Sequence, residues 1–523
     1  MENRIVADGV EWCESDEIGI PIRANLSSCH PSYPDGNSSC CPPWPAQEPV
    51  DFQFPHPSSP IRVRRPVHLV DDEYKAKYER AVAIMKQLPL DHPHNFWRQA
   101  DLHCLYCTGA YSQFNYSTEF RIHHSWLFFP WHRALLYFHE RILGKLIGDD
   151  SFALLYWNWD HPDGMRFPAM FTEGALDDTE RDSMDIQNVV DHNFHGTDRG
   201  LSDREQILEN LALMYNQMVS SPKQPELFMG CKLRSGDEGK CKGTGTIESA
   251  PHNTVHRWVG SRDNPVRENM GAFYSSGFDP VFYSHHSNID RLWALWQRMR
   301  DNELEFDDEM WLNSEFTFYD ENLQFVRIRV RDVLSISKLR YGYQDIELPW
   351  LDARPKPSVP PEIARSILRK REGALQTPGG APQGNWTLDK TLTVRIQRPR
   401  INRTREEKRR EEEILFVYGI GAAGTSAGFV KFDVFVNAVE ELTVLSPRSR
   451  EFAGTFSHIH DSPRLYPEEG GGRDKKKVKP HLKLGISELL EDLQADEDDS
   501  IWVMLVPRGG TATVQGIRID YMK

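Results

Sequence analysis

The sequence predicts a mainly α domain, built as a helical bundle, followed by an all-β sandwich. Three observations carry this expectation. Between residues 66 and 350, apolar side chains recur at helical spacing. A proline- and glycine-rich stretch containing "RPKPSVPPE" and "QTPGGAPQGN" then breaks the pattern. Beyond it come short segments rich in β-branched and aromatic residues, with turn residues between them. At 523 residues the chain can build more than one core. The expected division is an N-terminal arm over 1–65, a helical domain over 66–350, a linker over 351–390 and a β-sandwich over 391–523.

The arm is irregular and proline-rich. Its segment "CHPSYPDGNSSCCPPWP" holds Cys29, Cys40 and Cys41 and has little core of its own. Such a segment needs staples, and disulfides imply an oxidising compartment. The N-terminus, "MENRIVADGVEWCESDEIGI", is acidic and has no apolar leader. The cysteines therefore favour a targeting segment lying outside this sequence. The first helix is expected in "DDEYKAKYERAVAIMKQL", where Tyr74, Tyr78, Val82 and Met85 share a face. "WHRALLYFHERILGKLIG" is a second, closed by Gly148. "DREQILENLALMYNQMV" and "HHSNIDRLWALWQRMR" are two more. After the linker, strands are expected in "LTVRI", "ILFVYGI", "FVKFDVFVN", "LTVLS", "EFAGTFSHI", "IWVMLVP" and "GIRIDY".

Charge and hydropathy exclude some functions. The net charge of −15 argues against nucleic acid, which needs a clustered basic face. The basic runs "RVRRP" and "KKKVK" are short and read as solvated loops. No apolar stretch approaches the ~20 residues of a membrane span. Five sequons, at Asn25, Asn37, Asn115, Asn385 and Asn402, permit glycosylation.

The chemistry lies in the histidines. "HNTVHRWVG" places His252 and His256 four apart, on one face of a helix. Alone, such a pair is commonly a surface feature. But the helical region also holds His103 in "DLHCLYC", His123 and His124 in "RIHHSW", His132 and His139 in "FFPWHRALLYFHE", and His285 and His286 in "FYSHHSNIDRLW". An upstream and a downstream group emerge, each able to offer three imidazoles from apolar surroundings. An unpartnered ring buried there would be costly. Neither group includes a carboxylate, which argues against hard cations. Neutral imidazole suits copper, zinc, iron and nickel. Two three-histidine sites with open positions suit a Cu(I) pair; zinc with three histidines and water is the competing choice.

These motifs, in this order and spacing, resemble the plant polyphenol oxidases, the type 3 copper family of tyrosinases, catechol oxidases and aurone synthases. "HCLYC", "IHHSWLFFPWHR", "HNTVHRWVG" and "DPVFYSHHSNIDRLW" resemble its two copper-binding regions. "ELPWLDARP" and "KFDVFVN" resemble its C-terminal signatures, and "CCPPWP" the start of its mature enzymes. The resemblance implies two copper ions: one held by His103, His123 and His132, the other by His252, His256 and His286. His124 and His285 become neighbours of the ligands, and His139, His458, His460 and His481 match no ligand position.

The resemblance also implies a thioether between Cys107 and His123, against the alternative of a disulfide within "CLYC". It pairs Cys40 with Cys104 and Cys29 with Cys41. Cys231 and Cys241 flank a glycine-rich loop and are able to pair, leaving Cys13 over. Phe273, on a loop bounded by Gly271 and Gly277, matches a gate above the second copper. Glu248 matches a carboxylate that holds a water, with an exposed, idle glutamate as the alternative. Asn253 and Arg257 would line the entrance.

The implied reaction is oxidation of o-diphenols to o-quinones with O₂ reduced to water, with phenol hydroxylation expected beside it. The implied partners are phenols and O₂; the oligomeric state is unknown. A specialised aurone- or lignan-type phenol oxidase, a haemocyanin-like O₂ carrier and a zinc hydrolase are the alternatives. The resemblance implies the plastid thylakoid lumen, with a vacuolar or secretory route as the other possibility. It also implies a C-terminal domain that shields the site until the linker is cut.

Overall fold

A computed structural model describes residues 20–31, 39–236, 242–264, 266–300, 306–374, 384–422, 429–459 and 479–523. Helices Asp72–Gln87, Phe96–Cys107, Phe128–Ile147, Asp203–Tyr215, Asn253–Val259 and Val281–Met299 form the first domain. Their ends follow from local chemistry. Asp71 and Asn95 accept from backbone N–H groups as N-caps, and Ser202 with Glu205 closes a capping box. Gly148 takes the left-handed cap at φ 69°. Phe128–Ile147 is buried without a break from Phe128 to Glu140, and Val281–Met299 from Val281 to Trp293. Helices buried all round form the middle of a core. Tyr78, Val82 and Met85 are buried on one face, with Tyr74 half-buried beside them.

Two expectations about the first domain need correction. "RVRRP" is not a solvated loop. Arg62–Pro66 is a strand that pairs in parallel with both Leu155–Tyr156 and Tyr341–Tyr343. Its alternation turns Arg62 and Arg64 inward and leaves Val63 exposed. Glu140 receives both arginines, at 2.6 Å from Arg62 Nε and 2.8 Å from Arg64 Nε. Asp290 is met by Arg133 at 2.5 Å, Arg64 at 3.2 Å, and the hydroxyls of Tyr341 and Tyr343 at 2.6 and 2.5 Å. The arm is also not separate: Val50–Asp51 adds to Phe325–Arg329. "KKKVK", apart from Lys479, lies outside the described residues.

The buried Asp290 cluster carries a testable consequence. Burial alone would raise the Asp290 carboxyl, but Arg133 and Arg64 outweigh it and hold it below the usual carboxylate range. Its contribution is therefore complete above the unfolded value of about 3.9 and is lost as pH falls through the lower folded value. Asp290→Ala takes the carboxylate partner from buried Arg133 and leaves Arg64 with Glu140 alone. It should lower the unfolding free energy by about 3–5 kcal/mol at pH 7, read from urea melts. A loss below about 1 kcal/mol, the range of exposed ion pairs, would contradict this account.

The second domain is the expected β-sandwich. One antiparallel sheet runs Leu392–Gln397, Ser500–Gly509, Val430–Val436, Phe452–His458. The other runs Leu482–Gly485, Glu412–Tyr418, Gly516–Met522. Leu415, Val417, Phe432, Val434, Val503 and Ile517 fill the space between. "LTVLS" is not a strand: it forms turns, with Val444 89% exposed. The stretch 351–390 is not wholly a linker. Pro361–Ala374 is a helix whose Ala364 and Leu368 lie against Val439 and Trp502. Trp386–Leu388 pairs with Ala512–Val514 and so belongs to the β domain. A further apolar cluster joins the domains, with Leu213 and Ala250 against Phe435, Phe452 and Met504.

Candidate metal centre

Helix Phe96–Cys107 carries His103, helix Phe128–Ile147 carries His132, and the loop before the latter carries His123. One ligand atom from each, with Cys107 Sγ, lies within 4.8 Å of the others. His252 and His256, one helical turn apart, meet His285 and His286 of helix Val281–Met299 in the same way. The two groups face each other: the His132 and His286 rings stack at 4.2 Å, and His123 lies 5.8 Å from His252. All are buried.

Hydrogen bonds fix the tautomers. A carbonyl only accepts, so an imidazole nitrogen facing one must carry the proton. His103 Nδ1 donates to Phe273 O at 2.7 Å, His132 Nδ1 to Phe128 O at 2.8 Å, and His256 Nδ1 to Met270 O at 2.7 Å. His252 is fixed less directly. Asn253 Nδ2 donates to Ser457 O at 2.9 Å, which turns Asn253 Oδ1 toward His252 Nδ1, also at 2.9 Å. In each ring the lone pair is then on Nε2, and that of His256 faces His286 Nε2 at 3.1 Å. Among the described residues, His103, His132 and His252 Nε2 have no partner. A buried acceptor without a partner costs about 1–3 kcal/mol, and acceptors gathered in two facing groups call for a cation in each. Burial holds His103 down to about 3 and His256 to about 4, and pushes His132, His252 and His286 well below the usual value. Neutral imidazole is the form that binds metal.

His285 is the added member of the second group. Trp159 Nε1 lies 3.1 Å from His285 Nδ1, and an indole N–H only donates. The proton of His285 therefore sits on Nε2, which has no lone pair to offer. This argues for His286 as the ligand of the "HH" doublet. Neither Trp159 nor Ser457 was singled out from the sequence, because each acts across more than a hundred residues.

The other expected residues fall as follows. Phe273 is buried in its loop and stacks on His123 at 4.0 Å. Its described ring contacts are with His103 and His123, so it sits over the first group and not the second. The loop brings it there because Met270 and Phe273 offer their carbonyls to different groups. Glu248 is buried, not exposed, and its Oε1 accepts from His124 N at 2.7 Å. Asn253 is buried beneath Ser457, and Arg257 lies under the Phe429 ring at 4.0 Å. Burial pushes Arg257 down to about 9, with Arg267 adding to it. What was expected to line an entrance is thus covered by the β domain.

Cys29–Cys41 and Cys40–Cys104 are disulfides, so "CLYC" has no internal bridge, and buried Cys107 is left out of both. The Cys231–Cys241 pairing involves position 241, and Cys13 and His460 likewise lie outside the described residues. His139 stacks on Tyr283 at 3.7 Å, away from both groups.

The comparisons agree along the chain. Residues 93–299 match the common central domain of tyrosinase, 305–356 the polyphenol oxidase middle domain, and 385–521 the chloroplastic polyphenol oxidase C-terminal domain. Aureusidin synthase of Antirrhinum majus is 44% identical, over 96% of this chain and 89% of that protein. The chloroplastic polyphenol oxidase of Malus domestica is 41% identical, over 95% and 84%. Among solved structures, a recombinant latent aurone synthase superposes with TM-score 0.85 at 35% identity, over 96% of this chain and 99% of that one. Latent apple tyrosinase superposes with TM-score 0.80 at 39% identity, over 91% and 100%.

Proposed function

The chain belongs to the plant polyphenol oxidases of the tyrosinase family, and from that premise we propose how its own residues carry the oxidation of o-diphenols to o-quinones by O₂. His103, His123 and His132 would hold one copper and His252, His256 and His286 the other. The observation that carries this reading is the set of Nε2 lone pairs, fixed by carbonyl acceptors, with no carboxylate ligand among them. Neutral donors suit copper, which changes charge by one electron per ion. When bound, a copper pair supplies the two-electron exchange between a diphenol and O₂. Zinc would fit the same donors but supply no electrons.

The protein holds that chemistry in place. Met270 and Phe273 carbonyls orient a histidine in each group, and the Phe273 ring covers His123. His123 is the loop-borne ligand, and a Cys107–His123 thioether would anchor it to helix Phe96–Cys107. Glu248 and Asn253 would hold and polarise a water that takes the proton of a monophenol, a step a diphenol oxidase needs less. In the trimmed enzyme, Asn253→Leu should lower monophenol hydroxylation about tenfold more than diphenol oxidation, a modest share of what a general base provides. Equal losses on the two substrates would assign Asn253 to orienting His252 alone.

The β domain would be a shield. Phe452–His458 is the edge strand of its sheet, and this edge docks on Glu248–Asn253. Ser249 Oγ donates to Thr455 O at 2.8 Å and accepts from Ser457 N at 3.1 Å. Covering a free edge in this way leaves its N–H and C=O groups satisfied. The substrates would be small phenols, and a panel that tests them includes chalcones. The relatives named chloroplastic support a plastid location, and within the plastid we propose the thylakoid lumen. No helix among the described residues is long and apolar enough to cross a membrane. Oxygen uptake with catechols, monophenols and chalcones tests the reading. Uptake coupled to quinone formation is expected, and reversible O₂ binding without turnover would overturn it.

A further inference from the structure

Strands Arg62–Pro66 and Leu155–Tyr156 run parallel, with Pro66 opposite Tyr156. The chain leaves both in the same direction and soon enters a short 3-10 turn on each side, Val67–Leu69 and Pro162–Gly164. The two turns bring His68 and His161 together, with rings 6.2 Å apart and 16° from parallel. Asp163 lies beside them, its Oδ2 3.8 Å from His161 Nδ1. One ligand atom from each of His68, His161 and Asp163 lies within 4.8 Å of the other two. None of the three belongs to the six-histidine centre. His68 and Asp163 are exposed, so an ion would have free access and room for water ligands.

We propose that His68, His161 and Asp163 form a separate metal site that takes one late first-row divalent ion, with zinc(II) as the representative. Two imidazoles and one carboxylate are borderline donors. They suit zinc, copper or nickel better than calcium or magnesium, which prefer oxygen alone. Ligands about 2.0–2.2 Å from a shared ion stand about 3–3.6 Å from each other, so the three side chains need only close slightly. The ion would replace the long 3.2 Å contact in which His161 Nδ1 accepts from Asp163 N. Where the exposed His68 ring stacks on His161 it is partly desolvated, and this together with His161 lowers it from its usual value, which favours the neutral, metal-binding form.

The site has a mechanical link to the centre. Just before His161, Trp157 N donates to Ser284 O at 3.0 Å and Trp159 to His285. Asp160 accepts from Asn288 at 2.9 Å, Arg291 at 3.1 Å and Trp350 at 3.0 Å. Pinning His161 to His68 would therefore fasten the segment that supports the His285–His286 helix. The expected effect is stabilisation by the ion.

The test uses the copper-loaded full chain, titrated with zinc(II) by calorimetry, with copper counted before and after. One further ion per chain is expected, with no copper lost and a raised Tm. In His68→Ala and Asp163→Ala, zinc affinity should fall at least tenfold and the Tm rise should vanish. Both residues are exposed, so the Tm without added zinc and the diphenol turnover of these copper-loaded variants should match the parent. An anomalous zinc peak should lie between the three side chains. Absence of a further ion, or equal zinc binding by parent and variants, would overturn the proposal.

Discussion

Cutting the chain between helix Pro361–Ala374 and strand Trp386–Leu388, then removing the C-terminal fragment, is expected to raise kcat/KM for catechol by about tenfold or more. That factor follows if the intact chain opens its site in no more than about a tenth of molecules. Copper content should not change, because none of the six histidines lies in the removed part. The contacts to be broken are specific. Ser457 O takes the Asn253 amide, Phe429 lies over Arg257, and the His458 ring stands 4.9 Å from that of His124. Tyr215 OH donates to Glu488 at 3.0 Å, and Arg450 of the β domain reaches Ser220 at 2.9 Å.

Cleavage alone should activate less than cleavage followed by separation. The helix left on the catalytic side still grips the shield. Ala364 and Leu368 rest on Val439 and Trp502, Ser358 N donates to Glu451 at 3.0 Å, and Arg371 pairs with Glu441. A cut closer to Arg354 would release that helix together with the shield. Mild detergent should replace separation in part, because the seam around Leu213, Phe435 and Phe452 is apolar. Intact chain that turns over as fast as trimmed chain would leave the β domain a role in folding or copper loading instead.

The second large effect is expected from His256→Ala. Removing this imidazole leaves the second group without a donor that Met270 O orients, and one ion should be lost. Catechol oxidation should fall to below about a thousandth of the parent, since parts that act as one unit fail together. His285→Ala is the informative partner. Trp159 commits its Nδ1, so this variant should keep both ions and a measurable rate. Loss of an ion in His285→Ala but not in a matched His286→Ala would exchange their roles.

Much of this architecture is legible from residue order. The long helices are, because their apolar spacing matches their burial, and Gly148 stops one of them where a left-handed cap is required. The clustered histidines proposed as ligands are legible because helix spacing and clustering place them together before any distance is known. What escapes is set by distant partners. "RVRRP" looks solvated until Glu140 and Asp290 arrive, 76 and 226 residues away along the chain. The helix Pro361–Ala374 hides behind its own prolines: Pro361 stands at its first residue, where a missing N–H costs nothing. "LTVLS" has a strand's composition but pairs with no strand among the described residues. Phe273 lies over the first group where the sequence leads one to expect the second, because sequence spacing does not say which way a loop faces.

The central claim is that six neutral histidines hold two redox-active coppers. It is tested most directly by counting metals per chain in full-length protein purified from its native tissue, with catechol oxidation assayed on the same sample. The account predicts two coppers per chain and, after trimming, oxygen uptake that a copper chelator abolishes and added copper restores. Zinc as the resident metal, or one copper per chain at full activity, would contradict it.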